Sequence, residues 1–421
     1  MSKNPNILAR YSRALHNETF AGMVLMVAAV IAIVWANSPF RETYEHLAHW
    51  EVGPEALGLH LGLAHWAADA LLAVFFFTVG LELKQEFAIG SLRDRKLAMV
   101  PMVAAAFGMI GPILVYTSIQ LFSAQPIYDG WAVPVATDIA FALGVLGLVG
   151  KGLPQALRTF LMTLAVVDDL LAIILIAVFF SENINLLWLA ASLATIAIYG
   201  FVVQKRITKW WILWPLAILA WYFMFLSGIH ATIAAVALGL TVPAIQKVKN
   251  RKITMPMTEF FTQKYHAFSA GFVVPAFAFF AAGVNVVDKG GLGELLADHV
   301  SVGIYLGLPL GKMLGITLST WVMVKFFNGH LGRGVKMPDI AAMGLISGVG
   351  FTVSLLIAQL SFPEGSSHGA HAAVSVILGS LLAIVLGGWA ARVRAHHHMR
   401  LADKTNIRRS DGPSDERNRG R

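Results

Sequence analysis

Two aspartates stand side by side in TLAVVDDLLAIILIAVFF, residues 163–180, within a run apolar and long enough to cross a bilayer. A carboxylate at membrane depth costs on the order of 2.5–3.5 kcal/mol on insertion scales. The chain accepts that cost twice, at Asp168 and Asp169. Two other ionisable residues lie comparably deep in apolar segments: Asp138 in WAVPVATDIAFALGVLGLVG (131–150) and Lys312 in 299–326. A structural salt bridge needs one acid and one base, whereas here three acids face one base. At least two carboxylates therefore lack a permanent cationic partner and must hold a proton or bind a cation. Consecutive helix residues point about 100° apart, so one member of the Asp168–Asp169 pair can face Lys312 while the other faces Asp138. Hard cations prefer oxygen ligands, and Thr137, beside Asp138, can supply one. The chemistry these residues suit is reversible binding of a cation in competition with protons.

Shallower ionisable groups surround these four. His230, in LSGIHATIAA, begins the eighth apolar segment; it is either a packing residue at a helix start or a pH-linked group. His65 and Asp69 lie toward one end of the second segment. Glu82, Lys84 and Glu86 lie toward its other end, as a solvated helix terminus or as a cation-attracting funnel. Glu82, Glu86 and His230 are the candidates for a pH response.

The elements that must position these residues are membrane helices. Of 421 residues, 57% are hydrophobic and 13% are charged, about half the roughly 25% charged share of soluble domains. The mean hydropathy is +0.67. Apolar stretches mark twelve spans, at about 19–36, 63–85, 97–122, 131–149, 157–180, 185–203, 210–226, 228–244, 257–286, 299–326, 338–362 and 369–393. The first run exceeds the roughly 7–15 residues of a signal-peptide core and reads as an uncleaved span. Connections alternate in charge. Arg93, Arg95 and Lys96, then Lys205, Arg206 and Lys209, then Lys247, Lys249, Arg251 and Lys252 fall on one side. Glu42, Glu45, Glu51, Glu55, Asp129, Glu182, Asp288, Glu294 and Asp298 fall on the other. The positive-inside rule makes the basic side, with both termini, cytoplasmic. The net charge of +8 is thus topology, and nucleic acid is excluded as a partner. With no cysteine, disulfides, thiolate chemistry and Cys-based metal sites are excluded too. The long acidic-side loop HWEVGPEALGLHL (49–61) is either a small hairpin, suited to a dimer contact, or an irregular loop. Residues 1–394 read as one twelve-helix membrane domain. Residues 395–421 read as a polar, disordered tail, and His396, His397 and His398 read as a basic flank at the membrane surface rather than a metal site.

Two spans have sequences that break helices. The fourth carries Pro134 and ends in glycines. The eleventh places Gly344, Gly348 and Gly350 before Thr352 and Ser354. Each is the middle of a three-span set, about 97–180 and 299–393, and the two run in opposite directions. That pattern predicts inverted repeats whose broken helices cross at the midplane, against ordinary glycine packing between helices.

ATDIAFALGVL (136–146), VVDDLLAI (166–173), SGIHATIA (227–234), GLELKQE (80–86), PAFAFFAAGVN (275–285), GKMLGI (311–316) and GVGFTVS (348–354) resemble the NhaA-type bacterial Na⁺/H⁺ antiporters over roughly residues 15–395. Inverted repeats with broken helices are a known feature of this family, so that reading is not independent of the resemblance. The resemblance implies an all-α polytopic protein of twelve helices, with broken helices at spans four and eleven. It implies Na⁺ or Li⁺ held by Asp169 with Asp138, and Lys312 paired to Asp168. It also implies electrogenic exchange of Na⁺ out for H⁺ in at alkaline pH, in the bacterial inner membrane, and a dimer hairpin at 49–61. Two positions depart from the family pattern. Gln85 stands where an arginine is typical, three residues after Glu82. Thr262 stands where a glutamate is typical, shortly before His266, with Glu259 and Lys264 nearby. The ion-site motifs are intact, whereas the pH-response region is altered.

The sequence therefore predicts a sodium–proton antiporter for sodium and pH homeostasis, not an enzyme, with no organic cofactor and with the lipid bilayer, Na⁺, Li⁺ and H⁺ as partners. A sodium-coupled solute symporter of similar architecture is the nearest rival. An intramembrane aspartyl protease needs a Gly-x-Gly-Asp segment, but residues 348–351 read Gly-Val-Gly-Phe and Lys312 would have no role. A cation channel needs a filter of repeated carbonyls or acidic rings, and no such segment is present.

Overall fold

The computed structural model describes residues 14–15, 18–181, 183–245, 248–249, 252–253, 255–289, 291–363 and 365–410. Each of the twelve apolar segments forms a helix. Eight are long enough to cross a membrane as single rods: Glu18–Ala36, Leu63–Ala88, Arg95–Gln120, Gln155–Phe179, Leu186–Gln204, Met257–Ala282, His299–Phe326 and Ser367–Ser410. Two more spans are bent pairs, Asp129–Val135 with Ile139–Val149 at 41°, and Met337–Ile346 with Phe351–Ser361 at 55°. Trp210–Leu226 and Thr232–Thr241 are shorter apolar helices. These helices are apolar on nearly all sides. Each closes its backbone hydrogen bonds internally, which a lipid environment requires, and large apolar side chains such as Leu114, Leu186, Phe201 and Trp389 remain exposed on the outside.

Span 8 departs from its expected range, 228–244. Its helix starts at Thr232, because Gly228 turns the chain with φ of +78° and leaves His230 ahead of the first turn. The 49–61 loop is a hairpin. Glu51–Val52 pairs antiparallel with Leu61–Gly62, and the Trp66 indole N–H donates to the Val52 carbonyl at 2.9 Å. Tyr222 OH, from span 7, donates to the Leu57 carbonyl at 3.0 Å and seats the hairpin on the bundle. A second small antiparallel pair, Val248–Lys249 with Lys252–Ile253, lies in a basic loop for which the sequence signalled no strand.

Most of the bundle shares one apolar core. A second, smaller core joins spans 6 and 7 to single faces of spans 2, 8 and 9. Three spans contain a π-helical turn, at Ala67–Leu71, Ser269–Val273 and Gly307–Gly311. The last includes Pro309, which has no N–H to continue an α-helix, and it delivers the chain to Lys312. Spans 3 and 10 meet backbone to backbone. A methyl group on Gly111 would overlap the Gly311 carbonyl, one on Gly311 would overlap Pro112, and one on Gly315 would overlap the Phe107 carbonyl.

Residues 395–410, expected to be disordered, instead continue the last helix to Ser410; 411–421 lie outside the described residues. An internal anchor accompanies the extension. Asp339, fully buried in the first turn of Met337–Ile346, accepts from Arg394 Nε at 2.7 Å and sits 3.0 Å from His398 Nε2. His398 is therefore turned inward onto Asp339 rather than lying on a solvated flank. His396 turns the other way, with Nδ1 donating to the Arg392 carbonyl at 2.9 Å. Replacing one member of a buried ionic cluster strands the others, at a cost of about 3 kcal/mol or more. Asp339→Ala should therefore lower the melting temperature in detergent, and His398→Ala should lower it less, because Arg394 remains paired. Equal melting of Asp339→Ala and the parent would show that the anchor carries no stability.

Candidate functional site

The site is built where the two bent spans lose their helical backbone. Ala136 and Asp138 are extended, so the chain between the halves of span 4 offers free peptide groups. Span 11 is interrupted over 347–350, where Gly348 allows a close approach: a methyl there would overlap the Leu308 carbonyl and Pro309 of span 10. The two breaks satisfy each other. Asp138 N–H donates to the Val349 carbonyl at 2.6 Å, and Thr137 Oγ1 donates to the Ser347 carbonyl at 2.8 Å.

Asp138 also joins two helix starts. Its Oδ1 accepts from Phe141 N–H at 3.3 Å, capping Ile139–Val149. Its Oδ2 accepts from Thr352 Oγ1 at 3.0 Å and Thr352 N–H at 3.4 Å, in the first turn of Phe351–Ser361. The positive ends of both half-helices thus converge on one carboxylate. Thr137, expected as an ion ligand, commits its hydroxyl hydrogen to Ser347, so what it can still offer a cation is an oxygen lone pair.

Asp168 and Asp169 are buried in the middle of span 5 and point to different neighbours, as helix geometry requires. Asp168 accepts both of its hydrogen bonds from Lys312 Nζ, at 2.9 and 2.7 Å, and neither side chain is more than 1% exposed. Asp169 is 9% exposed and makes no hydrogen bond or ion pair among the described residues. The charged groups that act on it are Asp168, Glu82, Asp138 and Lys312. Three carboxylates and a single ammonium therefore bear on an acid that has no fixed partner.

The pH-response candidates separate. Glu82 faces the site electrostatically from span 2. Glu86 is engaged in a turn: its Oε2 accepts from Ser91 N–H and Ser91 Oγ, both at 2.9 Å, and Ser91 Oγ reaches Thr163 Oγ1 of span 5 at 2.6 Å. His230 lies near the acidic-loop end, with Nε2 3.5 Å from Asp69 Oδ1 and Nδ1 2.7 Å from Thr232 Oγ1. There it lines a 1120 Å³ cavity with His65, Asp69, Asp129 and Gln359, and none of Asp138, Asp168, Asp169 or Lys312 touches that cavity. Sequence reasoning gave Thr352 no role at Asp138. The available signal was its position just beyond a glycine break, matching that of Thr137–Asp138 in span 4. Ser354 Oγ is also buried near this break, with no hydrogen-bond partner among the described residues.

The family described as Na⁺/H⁺ antiporter 1 matches residues 12–390. The chain is 44% identical over 394 residues to the Na⁺/H⁺ antiporter NhaA 1 of Frankia alni, covering 93% of this chain and 91% of that protein. The chain belongs to the NhaA family of Na⁺/H⁺ antiporters. The NhaA of Arthrobacter sp. strain FB24 is 45% identical over 404 residues, covering 94% of this chain and 87% of the relative. In fold, the chain resembles the sodium proton antiporter MjNhaP1 of Methanocaldococcus jannaschii, with a TM-score of 0.52, 12% identity, and coverage of 92% and 97%. The protein is thus a multi-pass membrane sodium–proton antiporter, and the buried acids described above stand inside an NhaA-type bundle.

Two substitutions test this geometry. Lys312→Ala strands the Asp168 carboxylate in an apolar site, at about 3–5 kcal/mol. It should lower the melting temperature, and adding Asp168→Leu should recover most of the loss. Failure of the second change to recover stability would show that the pair is not the cause. Thr352→Val removes the hydroxyl that orients Asp138, and loss of such an outer-shell partner typically weakens ion affinity by about 10–100-fold. The Na⁺ concentration at half-maximal exchange should rise by at least about tenfold; an unchanged value would remove Thr352 from the site.

Proposed function

We propose that Asp138 and Asp169 form the site that binds Na⁺ or Li⁺ in alternation with protons. The observation that carries this reading is the unpartnered state of Asp169. It is buried beside an acid already neutralised by Lys312 and within the electrostatic reach of Asp138. A carboxylate kept from water in this way must be neutralised by something exchangeable. Oxygen is the ligand chemistry hard alkali cations prefer, and Asp138, Thr137, Ser354 and the peptide carbonyls at the breaks offer it. Two carboxylates that alternately hold protons and a single monovalent ion move unequal charge in the two directions, which makes exchange electrogenic. Lys312 holds Asp168 and is part of the proton linkage, because it is the one cation inside the cluster. The excess of Lys and Arg on one side of the bundle supports cytoplasmic termini; the protein works in the inner membrane, where it exports Na⁺ and imports H⁺ for sodium and pH homeostasis. The hairpin of the 49–61 loop is the contact for a homodimer. Glu82 draws cations toward Asp169 from the basic-loop end, and Glu86 and His230 adjust the pH response.

Everted vesicles test the core of this reading through Na⁺-driven dissipation of ΔpH. Asp169→Asn should abolish exchange while leaving the melting temperature within a few degrees of the parent. Asp138→Asn should require far more Na⁺ for any exchange. Near-normal exchange by folded Asp169→Asn would remove it from the site. Gln85 and Thr262 lie on spans 2 and 9, which contact each other through Phe77, Phe261 and Tyr265. Restoring the family charges with Gln85→Arg and Thr262→Glu together should shift the pH midpoint beyond the sum of the single changes. The shift should stay under about one pH unit, since an accessible pair contributes about 0–1 kcal/mol. Purely additive effects would mean that these positions do not set the threshold.

A further inference from the structure

A second cluster of ligand-bearing side chains lies at the acidic-loop end, outside the ion site. Asp298 is the N-cap of His299–Leu306, and the adjoining last helix begins at Ser367, so His368 and His371 stand one turn apart on its first turns. Asp298 Oδ2 is 3.1 Å from His371 Nδ1 and 3.6 Å from His368 Nδ1, and one ligand atom from each of the three lies within 4.8 Å of the others. Ligands about 2.0–2.2 Å from a tetrahedral ion stand roughly 3.4 Å apart, a spacing the two carboxylate–imidazole distances already bracket. The carboxylate is oriented from behind. Val300 N–H donates to Oδ1 at 3.2 Å, and Ser301 Oγ donates to Oδ2 at 3.4 Å, so Oδ2 stays turned toward the histidines.

A second observation points to a ligand. His368 Nδ1 is closed off from solvent and has no hydrogen-bond partner among the described residues, although it faces Asp298. A buried ring nitrogen in that state has lost its hydration without compensation. A metal ion placed between the three groups would supply the missing partner. His371 is buried while the His368 side chain is 38% exposed, which leaves an approach for the ion and room for a water as fourth ligand.

We propose that Asp298, His368 and His371 form a binding site for a divalent transition metal of the zinc class, distinct from the transported alkali cation. Two imidazole nitrogens with one carboxylate oxygen suit zinc and its neighbours, whereas Mg²⁺, Ca²⁺ and Na⁺ prefer all-oxygen sets. An ion there bridges span 10, which carries Lys312, to span 12. Such a clip stabilises the folded bundle by mass action.

The test uses the full-length protein in detergent, stripped with chelator and titrated with ZnCl₂ alone by calorimetry, with melting temperature recorded in parallel. In a background of His396→Ala with His397→Ala, which removes the other accessible histidines at the far end of the same helix, one Zn²⁺ should bind per chain and raise the melting temperature. Adding His368→Gln, at a partly exposed position, should weaken binding at least tenfold and abolish the thermal shift. His371→Ala and Asp298→Asn should do the same, and MgCl₂ should shift nothing. Zinc binding undiminished by His368→Gln, or no binding at micromolar Zn²⁺ in the parent, would overturn the proposal.

Discussion

The contact between Lys312 and Asp168 governs the rest of the interior. There an ammonium meets the buried acids of span 5, and both hydrogen bonds are short and shielded from water. By satisfying Asp168 completely, it gives adjacent acids on one helix opposite characters. One becomes a fixed structural charge. The other, about 100° around the helix, is left without a fixed partner among the described residues. A second buried lysine beside it would give Asp169 a fixed partner as well. A missing Lys312 would leave two adjacent carboxylates with no cation between them.

The breaks in spans 4 and 11 solve a different problem at the same depth. A broken helix in lipid exposes peptide groups that water cannot satisfy. Here each break serves the other, through Asp138 N–H to Val349 and Thr137 to Ser347, with Thr352 completing the exchange at the Asp138 carboxylate. The same groups that make the break tolerable surround the acid with dipoles. Stability of the irregular backbone and placement of Asp138 are therefore one requirement.

How much of this was legible depended on the range of the interaction. The spans could be read because lipid demands nearly all-round apolar sequence, a local property. Asp138, Asp168, Asp169 and Lys312 stood out because any charge in such a run is conspicuous. Thr352 was hidden: a threonine in an apolar helix looks the same whether it packs or hydrogen-bonds, and its partner lies 214 positions away. The clasps of Glu86 on Ser91 and of Asp339 on Arg394 and His398 were hidden for a related reason. Charged residues at helix ends read as solvated, and only the fold shows which are turned inward. The last helix outran its expected end because polar composition signals disorder only when no anchor is present.

The seam between spans 3 and 10 sets the mechanical tolerance of the charged cluster. At Gly111, Gly311 and Gly315 no side chain cushions the two backbones, so there is no rotamer that could yield under load. Lys312 follows directly in the chain, and its ammonium inherits that stiffness. Hydrogen bonds of 2.7 and 2.9 Å survive displacements of only a few tenths of an ångström without weakening. The precision with which this protein holds a charge in the middle of a membrane is thus set by three hydrogen atoms, each standing where any other residue would have carried a carbon.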